Sequence, residues 1–135
     1  MEIQYFKEYS ACLNRDMEMK VYGHAGKPVL FIPCQDGKYV DFENFHMIDY
    51  WAKWIEEGKV MVFSIDTIDL ETWSDKNGDP GHRTYMHEQW IHYIVDEFVP
   101  FMRHMTAMRG WCDDKIMVFG ASMGANHSAN LFLRF

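Results

Sequence analysis

The N-terminal part of the chain carries the two-residue alternation of apolar and polar positions that is typical of β-strands. Met17, Met19 and Val21 alternate strictly with charged residues, so this strand is expected to bury one face and expose the other to water. A less regular alternation runs over residues 3–9, and the stretch Ser10–Asn14 between the two segments suits a hairpin turn. The sequence therefore predicts an opening pair of antiparallel strands.

Two segments that are apolar on both faces follow, with a helical pattern between them. Val29–Ile32 and Val60–Ile65 are continuously apolar apart from Ser64, the pattern of central strands that are covered on both sides. Gly58 is placed to end the intervening helix. This order predicts a βαβ unit, with parallel strands and a right-handed crossover. The apolar positions that share one face of the helix are Phe45, Ile48, Trp51, Ala52 and Ile55.

The second half of the chain predicts a long loop, two helices and one more strand. Residues 67–83 are rich in Asp, Gly and Pro, and loops longer than about 12–15 residues are usually functional or disordered. A long helix follows up to Gly110, and Pro100 should kink it because proline removes a backbone hydrogen bond. Lys115–Phe119 predicts a third buried strand, and residues 123–135 predict a final helix. The apolar stripe of the long helix comprises Ile91, Ile94, Val95, Phe98, Met102 and Met105.

Together these elements predict one α/β domain over residues 1–135, because no repeat, low-complexity tract or linker divides the chain. The sheet is expected to be mixed, antiparallel at its N-terminal edge and parallel after it, with helices on both faces in a three-layer sandwich. Hydrophobic residues make up 48% and charged residues 24% of the chain, which is ordinary for a globular protein.

Charge and cysteine content narrow the range of partners. With 13 basic and 20 acidic residues the net charge is −7, which makes nucleic acid an unexpected partner because phosphate neutralisation dominates such binding. No apolar run approaches the roughly 20 residues of a membrane span, and the first ten residues are too polar for a secretory signal. Three cysteines without C-x-x-C spacing cannot all pair, which indicates reduced thiols and a cytoplasmic location.

The candidate chemistry lies between the last predicted strand and the last predicted helix. Gly120–Gly124 reads Gly-Ala-Ser-Met-Gly, the G-x-S-x-G pattern of a nucleophile elbow. Such an elbow needs a serine on a sharp strand-to-helix turn, flanked by positions without a Cβ, and the helix N-terminus directs its amides to where an oxyanion forms. Glycine-rich turns of this kind also occur in doubly wound nucleotide-binding folds, which is the structural alternative.

A resemblance to a known family rests on six segments in chain order: RDMEMKVYG, GKPVLFIP, FENFHMIDYWAKWIEEGKV, VMVFSIDTIDLETWSDKN, HEQWIHYIVDEFVPFMR and GASMGANHSANLFLRF. They resemble the esterase family of α/β-hydrolases that contains esterase D-like and feruloyl-esterase-like enzymes. The resemblance implies the N-terminal half of an α/β-hydrolase domain, truncated after the elbow helix. It also implies a carboxylic-ester hydrolase that needs no cofactor and no metal.

The resemblance assigns roles to particular residues. In such enzymes Ser122 would be the nucleophile that carries the acyl group, and the backbone amide of Met123 would be one oxyanion donor. The second donor comes from the loop after the first buried strand, where Gln35 is the candidate, although the family often has a glycine or another small residue there. Cys34 and Trp73 are candidate pocket-lining residues, and an inert thiol and a packing role remain the alternatives for them.

The acid and the histidine of a catalytic relay are not found where this family has them. In α/β-hydrolases they follow the serine in the order acid, then histidine. The 13 residues after Ser122 contain no acid, and their one histidine, His127, lies about 140° round the helix from the serine. The chain by itself is therefore expected to be inactive as an esterase. The alternative is a rewired relay that combines Asp66 with an upstream histidine: His24, His46, His82, His87, His92 or His104.

A metal site is not expected either. His87 and His92 resemble the zinc motif H-E-x-x-H, but the segment has one extra residue. At a separation of five residues the two imidazoles face different sides of a helix. Surface histidines exposed to solvent are the simpler interpretation.

Three classes of function remain open: hydrolysis of a small ester, acyl transfer to an alcohol or sugar on the same acyl-enzyme, and a non-catalytic binding or assembly module. Nucleic acid and membranes are not expected partners. The strand at Lys115–Phe119 would leave an exposed apolar edge, which is a template for pairing with another chain. We therefore expect a homo-oligomer or a complementing C-terminal fragment, and repacking into a small flavodoxin-like domain is the alternative.

Overall fold

The predicted pair of strands at the N-terminus is present in the computed structural model, which describes residues 1–135. β1 (Ile3–Ser10) and β2 (Arg15–Tyr22) pair antiparallel through a short turn. The apolar positions of β2 that the alternation pointed inward are buried, and the charged positions between them are partly or fully exposed. The period of two residues therefore predicted both the strand and its buried face.

Three further strands complete the sheet. β3 (Lys27–Ile32) and β4 (Val60–Ile65) run parallel to each other at its centre. β5 (Met117–Gly120) pairs parallel with the outer side of β3, and β2 pairs antiparallel with β4. The strand order is β1-β2-β4-β3-β5, so the predicted mixed sheet is confirmed.

The helix between β3 and β4 begins later than the apolar pattern predicted. A short helix, α1 (Asp41–Asn44), precedes the main helix, α2 (Met47–Glu56). His46 has a left-handed backbone with a φ of 61°, and this conformation separates the two helices. Phe45, predicted on the buried stripe, lies in the break and is 59% exposed. The remaining stripe, which ends at the fully buried Ile55, packs on the sheet.

The segment predicted as a loop over residues 67–83 is partly helical. After a 3₁₀ turn at Asp69–Glu71, α3 (Pro80–His92) begins inside the predicted loop. The Asp79 side chain caps it by accepting a hydrogen bond of 2.8 Å from a backbone N–H in the first turn. Asp at the cap and Pro at the first helical position are both favoured helix starts. The Asp and Pro residues that predicted a loop here include the two that start α3, Asp79 and Pro80.

The irregularity expected at Pro100 takes the form of a π-helical turn. Tyr93–Phe98 form this turn between α3 and α4 (Val99–Ala107). Pro100 lies in the first turn of α4, directly after the π-helical turn, and it has no N–H to donate to a carbonyl of that turn. Of the apolar stripe predicted for this region, Val95 alone is only half-buried.

Helices cover both faces of the sheet, which gives the predicted three layers. A larger apolar cluster packs between one face, the α3 to α4 segment and α5 (Met123–Arg134), with Phe63 near its middle. A smaller cluster lies between the other face and the α1 to α2 segment, and includes Phe31 and Phe42. β5 is an edge strand, so an exposed apolar edge is present as expected. The full burial that its apolar run predicted is wrong, because its residues are only partly buried and Met117 at its start is 41% exposed. None of the helices has the length and hydrophobicity that crossing a bilayer requires.

Replacing Phe63 by alanine should strongly destabilise the fold. Its ring is fully buried on β4 and meets Phe98 and Phe101 edge-on, with 6.2 Å between ring centroids in each pair. Loss of such a side chain costs about 3–5 kcal/mol of unfolding free energy, to be measured by urea denaturation. Phe45→Ala is the matched control and should cost less than about 0.5 kcal/mol. Equal losses for the two variants would contradict the burial of Phe63 between the sheet and the α3 to α4 segment.

Candidate active site

Ser122 has a backbone conformation that residues with a side chain rarely adopt. Its φ is 57° and its ψ is −123°, and it lies between the end of β5 and the start of α5. Conformations of this kind cost of order 1–3 kcal/mol and persist only where the surrounding structure enforces them. A strained serine on a turn from strand to helix is the geometry of a nucleophile elbow.

The two glycines of the elbow are required by a close approach of backbone to backbone. A Cβ on Gly120 would lie 2.5 Å from the carbonyl oxygen of Ile32. A Cβ on Gly124 would lie 2.5 Å from the carbonyl oxygen of Pro33 and closer still to that of Ile32. Real Cβ atoms do not approach backbone so closely, so only glycine fits at either position. The elbow therefore packs directly on the end of β3 and on the loop that follows it.

This contact brings the loop that carries Gln35 next to the elbow. The loop is closed by the N–H of Gly37, which donates to the carbonyl of Cys34 at 2.9 Å. The Gln35 side chain donates to the hydroxyl of Ser74 at 2.7 Å, which fixes the loop to the segment after β4. The backbone N–H groups of Gln35 and Met123 donate to no acceptor within the chain. Both candidate oxyanion donors are therefore free to bind a ligand.

No histidine forms a hydrogen bond with Ser122. The hydroxyl of this serine forms no capping bond to α5, and the carboxylate of Asp66 accepts a bond of 2.8 Å from the N–H of Tyr39 rather than from a histidine. Burial raises the pKa of Asp66 above its ordinary value. The rewired relay through Asp66 is therefore not formed. The histidines that do meet carboxylates form the pairs His46–Asp49, His92–Asp96 and His127–Asp69.

The last of these pairs is almost completely buried. His127 Nε2 and Asp69 Oδ1 are 3.0 Å apart, and the side chains are 1% and 2% exposed. The sequence predicted that His127 lies round the helix from Ser122; in the structure it bonds to Asp69 and forms no hydrogen bond with Ser122, and its burial was not predicted. The sequence did not predict Asp69 as part of the site. Two features could have indicated it: the acid-rich stretch after the buried strand β4, and a histidine on the buried side of α5.

Aromatic rings surround His127. Trp90 and His87 lie 4.7 and 5.6 Å from it, measured between ring centroids. His87, predicted as a solvated surface residue, is half-buried. Burial and the neighbouring His127 lower the pKa of His87 below its ordinary value of 6.5, so its imidazole is neutral at pH 7. His92 is exposed and pairs with Asp96, and no group of three or more metal-binding side chains exists in the chain.

A cavity of about 350 Å³ opens beside this cluster. Trp73, a predicted pocket-lining residue, forms one wall and meets His87 edge-on at 5.7 Å between ring centroids. Arg83 fixes the Trp73 segment through bonds of 2.7 and 3.2 Å to two backbone carbonyls. Cys34 does not line this cavity and lies instead in the loop that carries Gln35. The lining residues are Thr72, Trp73, Pro80, Arg83, Thr84 and His87.

Solved structures share the fold, whereas no protein-family model and no curated protein matches the sequence. An S-formylglutathione hydrolase from Agrobacterium tumefaciens matches with a TM-score of 0.71 and 18% identity, over 98% of this chain and 53% of that one. A ferulic acid esterase from Anaeromyces mucronatus matches with a TM-score of 0.72 and 13% identity, over 98% and 54%. The S-formylglutathione hydrolase of Staphylococcus aureus matches with a TM-score of 0.55 and 13% identity, over 91% of this chain and 50% of that one.

These matches establish the fold class. The chain has an α/β-hydrolase fold, with the mixed sheet and the helices of the N-terminal part of those enzymes. The resemblance of the sequence to an esterase D-like and feruloyl-esterase-like fold is confirmed. The chain spans about half the length of these structures.

Gly124→Ala should destabilise the elbow. The added methyl group meets two backbone carbonyls that cannot move aside, and overpacking of this kind costs about 1–3 kcal/mol or more. Gly81→Ala in α3 is the matched control, because its Cβ meets only the Asp79 side chain at 3.3 Å; it should be neutral or stabilise by up to about 1 kcal/mol. Urea denaturation of both variants tests this, and a neutral Gly124→Ala would contradict the close approach.

His87 should make the protein less stable in mild acid. Because the folded state lowers the pKa of His87, the unfolded chain takes up a proton below about pH 6.5 that the folded chain does not. The unfolding free energy should therefore fall from pH 7 to pH 5. The charged and titratable groups near His87 are His127, Glu88, Asp69 and Arg134.

Urea denaturation across this pH range, with variants, isolates the contribution of His87. His87→Gln should have a flatter pH profile than the wild type. His104→Gln, at an exposed position of α4, should retain the wild-type slope. Parallel profiles for the wild type and His87→Gln would contradict the assignment.

Proposed function

We propose that residues 1–135 form part of a single α/β-hydrolase domain that hydrolyses carboxylic esters through an acyl-enzyme on Ser122. The observation that carries the proposal is the strained backbone of Ser122 between two obligatory glycines. Two free amides, of Met123 and Gln35, lie in the adjoining segments. Enzymes that share the fold include S-formylglutathione hydrolases and a ferulic acid esterase, which supports ester-type chemistry.

In the proposed reaction Ser122 Oγ attacks the carbonyl carbon of the ester. Negative charge develops on the carbonyl oxygen, where the amides of Met123 and Gln35 stabilise it, and one such donor is worth about 10²–10³ in rate. Collapse of the tetrahedral intermediate expels the alcohol and leaves the acyl group on Ser122, and water then releases the acid. A base must take the serine proton, and we assign that role to a histidine and an acid outside these residues.

The remaining predicted site residues fit around this reaction. Trp73 forms a wall of the 350 Å³ cavity and is proposed to contact the substrate. Cys34 shares the loop with Gln35 and is proposed to line the approach to Ser122. A second candidate, a non-catalytic binding or assembly module, is favoured by one observation, that no histidine forms a hydrogen bond with Ser122.

Three unpaired cysteines, Cys12, Cys34 and Cys112, support a further part of the proposal. Free thiols persist where glutathione and thioredoxin keep them reduced. We therefore propose a cytoplasmic location for the protein.

The 135-residue chain alone should hydrolyse p-nitrophenyl acetate only at a residual rate. Without a relay, the oxyanion site and binding give about 10³–10⁴-fold over water. Mass spectrometry should locate an acetyl group on Ser122 of the wild type, and Ser122→Ala should lose this acetylation while it keeps the part of the residual rate that comes from the oxyanion site and binding. Tyr50→Phe, which removes a hydroxyl from a side chain on α2 that is 75% exposed, is the control and should change nothing. A wild type in which Ser122 carries no acetyl group would contradict the proposed nucleophile. An ordinary esterase rate that Ser122→Ala abolishes would show that a base is present within the chain.

The chain should also associate, either with copies of itself or with a complementing C-terminal fragment. β5 is an edge strand, and the end of α5 exposes Phe132, Leu133 and Phe135 by 77%, 80% and 65%. Unpaired edges and large apolar patches promote pairing with another chain. Light scattering of the isolated chain should therefore show species larger than a monomer.

Lysine substitutions locate the surface that associates. Met117→Lys on β5 should weaken self-association, because a charge on an edge strand opposes pairing. Tyr50→Lys, at a position on α2 that is 75% exposed, should have no effect. A stable monomer at high concentration that binds no ANS would contradict this part of the proposal.

A further inference from the structure

We propose that Asp69 is a positioning residue that holds the loop carrying Gln35 in register with the elbow. One carboxylate oxygen of Asp69 meets His127 on α5, and the other meets the amide of Asp36, the residue after Gln35. The inference rests on the proposed function, because it concerns the relative placement of the two oxyanion donors.

Because Asp69 is buried, both of its carboxylate oxygens need hydrogen-bond partners within the protein. Its side chain is 2% exposed and that of His127 is 1% exposed. Removing a carboxylate from water costs several kcal/mol, which is recovered only if both oxygens find partners with good geometry. Oδ1 lies 3.0 Å from His127 Nε2, and Oδ2 accepts from the N–H of Asp36 at 3.3 Å. Displacing either partner would leave a buried oxygen unpaired, so the carboxylate resists movement of both segments.

The position of Asp69 in the sheet explains why it can bridge these segments. It lies in the 3₁₀ turn after β4, Asp36 lies in the loop after β3, and His127 lies on the helix after β5. β4, β3 and β5 are parallel neighbours in that order. The three segments therefore begin side by side, at the carboxyl ends of these strands. One carboxylate thus ties together the connections of three adjacent parallel strands.

Other bonds hold the Gln35 loop, but they do not reach α5. The hydroxyl and the N–H of Thr67 both donate to the carbonyl of Gly37, at 2.9 and 3.1 Å. Ser74 bonds to the side chains of Gln35 and Asp36. These contacts fix the loop to the segment after β4 only. Asp69 is the side chain that also fixes it to the helix whose first residue, Met123, is the other candidate donor.

This bridge matters because oxyanion donors act only at short range. They must lie about 2.7–3.1 Å from the position of the oxyanion, and a misplacement of 1 Å can cost about 10²-fold in rate. His127 is a positioning residue as well and not the base, since its Nε2 is occupied by Asp69 and its ring is enclosed by Trp90 and His87.

Asp69→Asn tests the inference, with Asp66→Asn as a matched control. Both residues are buried aspartates after β4, and both accept from a backbone N–H of the segment after β3, but the Asp66 carboxylate bonds to Tyr39 and forms no hydrogen bond to α5. In Asp69→Asn we expect hydrogen exchange of the Asp36 amide to accelerate by about tenfold, because one ordinary hydrogen bond changes an opening equilibrium by about that factor. The NMR signals of the Gln35 and Met123 amides should shift, and acetylation of Ser122 by p-nitrophenyl acetate should slow by about 10–100-fold.

The control separates positioning from general stability. Asp66→Asn should lower the urea midpoint, yet leave Asp36 exchange and Ser122 acetylation within about twofold of the wild type. If both variants slow acetylation in proportion to their loss of stability, Asp69 has only a structural role and the inference is overturned. Unchanged Asp36 exchange in Asp69→Asn also overturns it. A Ser122→Ala variant as reactive as the wild type would instead overturn the proposed function while leaving the exchange result interpretable.

A second pair of variants keeps the test decisive if Asp69→Asn does not fold. His127→Gln places an amide N–H near the former Nε2 and should retain near-normal Asp36 exchange and Ser122 acetylation. His127→Leu fills a similar volume without a donor and should accelerate exchange and slow acetylation. If the two variants behave alike, the contact of His127 with Asp69 does not position the loop.

Discussion

The close approach of the elbow to the end of β3 is the contact on which the candidate site depends. The carbonyl oxygens of Ile32 and Pro33 lie where a side chain on Gly124 would have to be. Because this contact is backbone on backbone, its geometry is set by the parallel pairing of β3 with β5 rather than by adjustable side chains. The strained Ser122 lies at this contact. The Gln35 loop begins beside it, and the proposed bridge through Asp69 then holds that loop in register with the elbow.

The region behind the elbow is polar, in contrast to the apolar core below it. Asp69 and His127 are as deeply buried as the aromatic side chains of the core, and they bond to each other and to the backbone of a loop. Such networks specify one arrangement because every alternative leaves a polar atom unpaired in a medium of low dielectric constant. In this protein the network joins the Gln35 loop to α5, the two segments that carry the proposed oxyanion donors.

Local patterns predicted the strands, the sheet and Ser122, and they failed where tertiary context decided. The two-residue alternation predicted the buried face of β2, and the apolar runs predicted the burial of β3 and β4 on both faces. The same reasoning placed Phe45 inside a helix, because a left-handed residue at His46 leaves no trace in periodicity. Asp69 was not predicted as part of the site, because its partners come from segments that are distant in sequence. The apolar run of β5 did not show that the strand is only partly buried, because the burial of a strand depends on the elements that cover it.

The topology of the sheet also bears on the order in which the protein folds. Ile32 and Gly120 are paired neighbours in the sheet, although most of the chain separates them in sequence. Loop closure over such a distance is entropically expensive, and contacts of this kind form slowly. The β1 to β2 hairpin needs only local contacts and is expected to form early, whereas the strained turn at Ser122 can exist only once β5 has joined the sheet. The strained turn at Ser122 is thus expected to be among the last features to fold, and Ser122 is free to adopt a relaxed backbone conformation until β5 has joined the sheet.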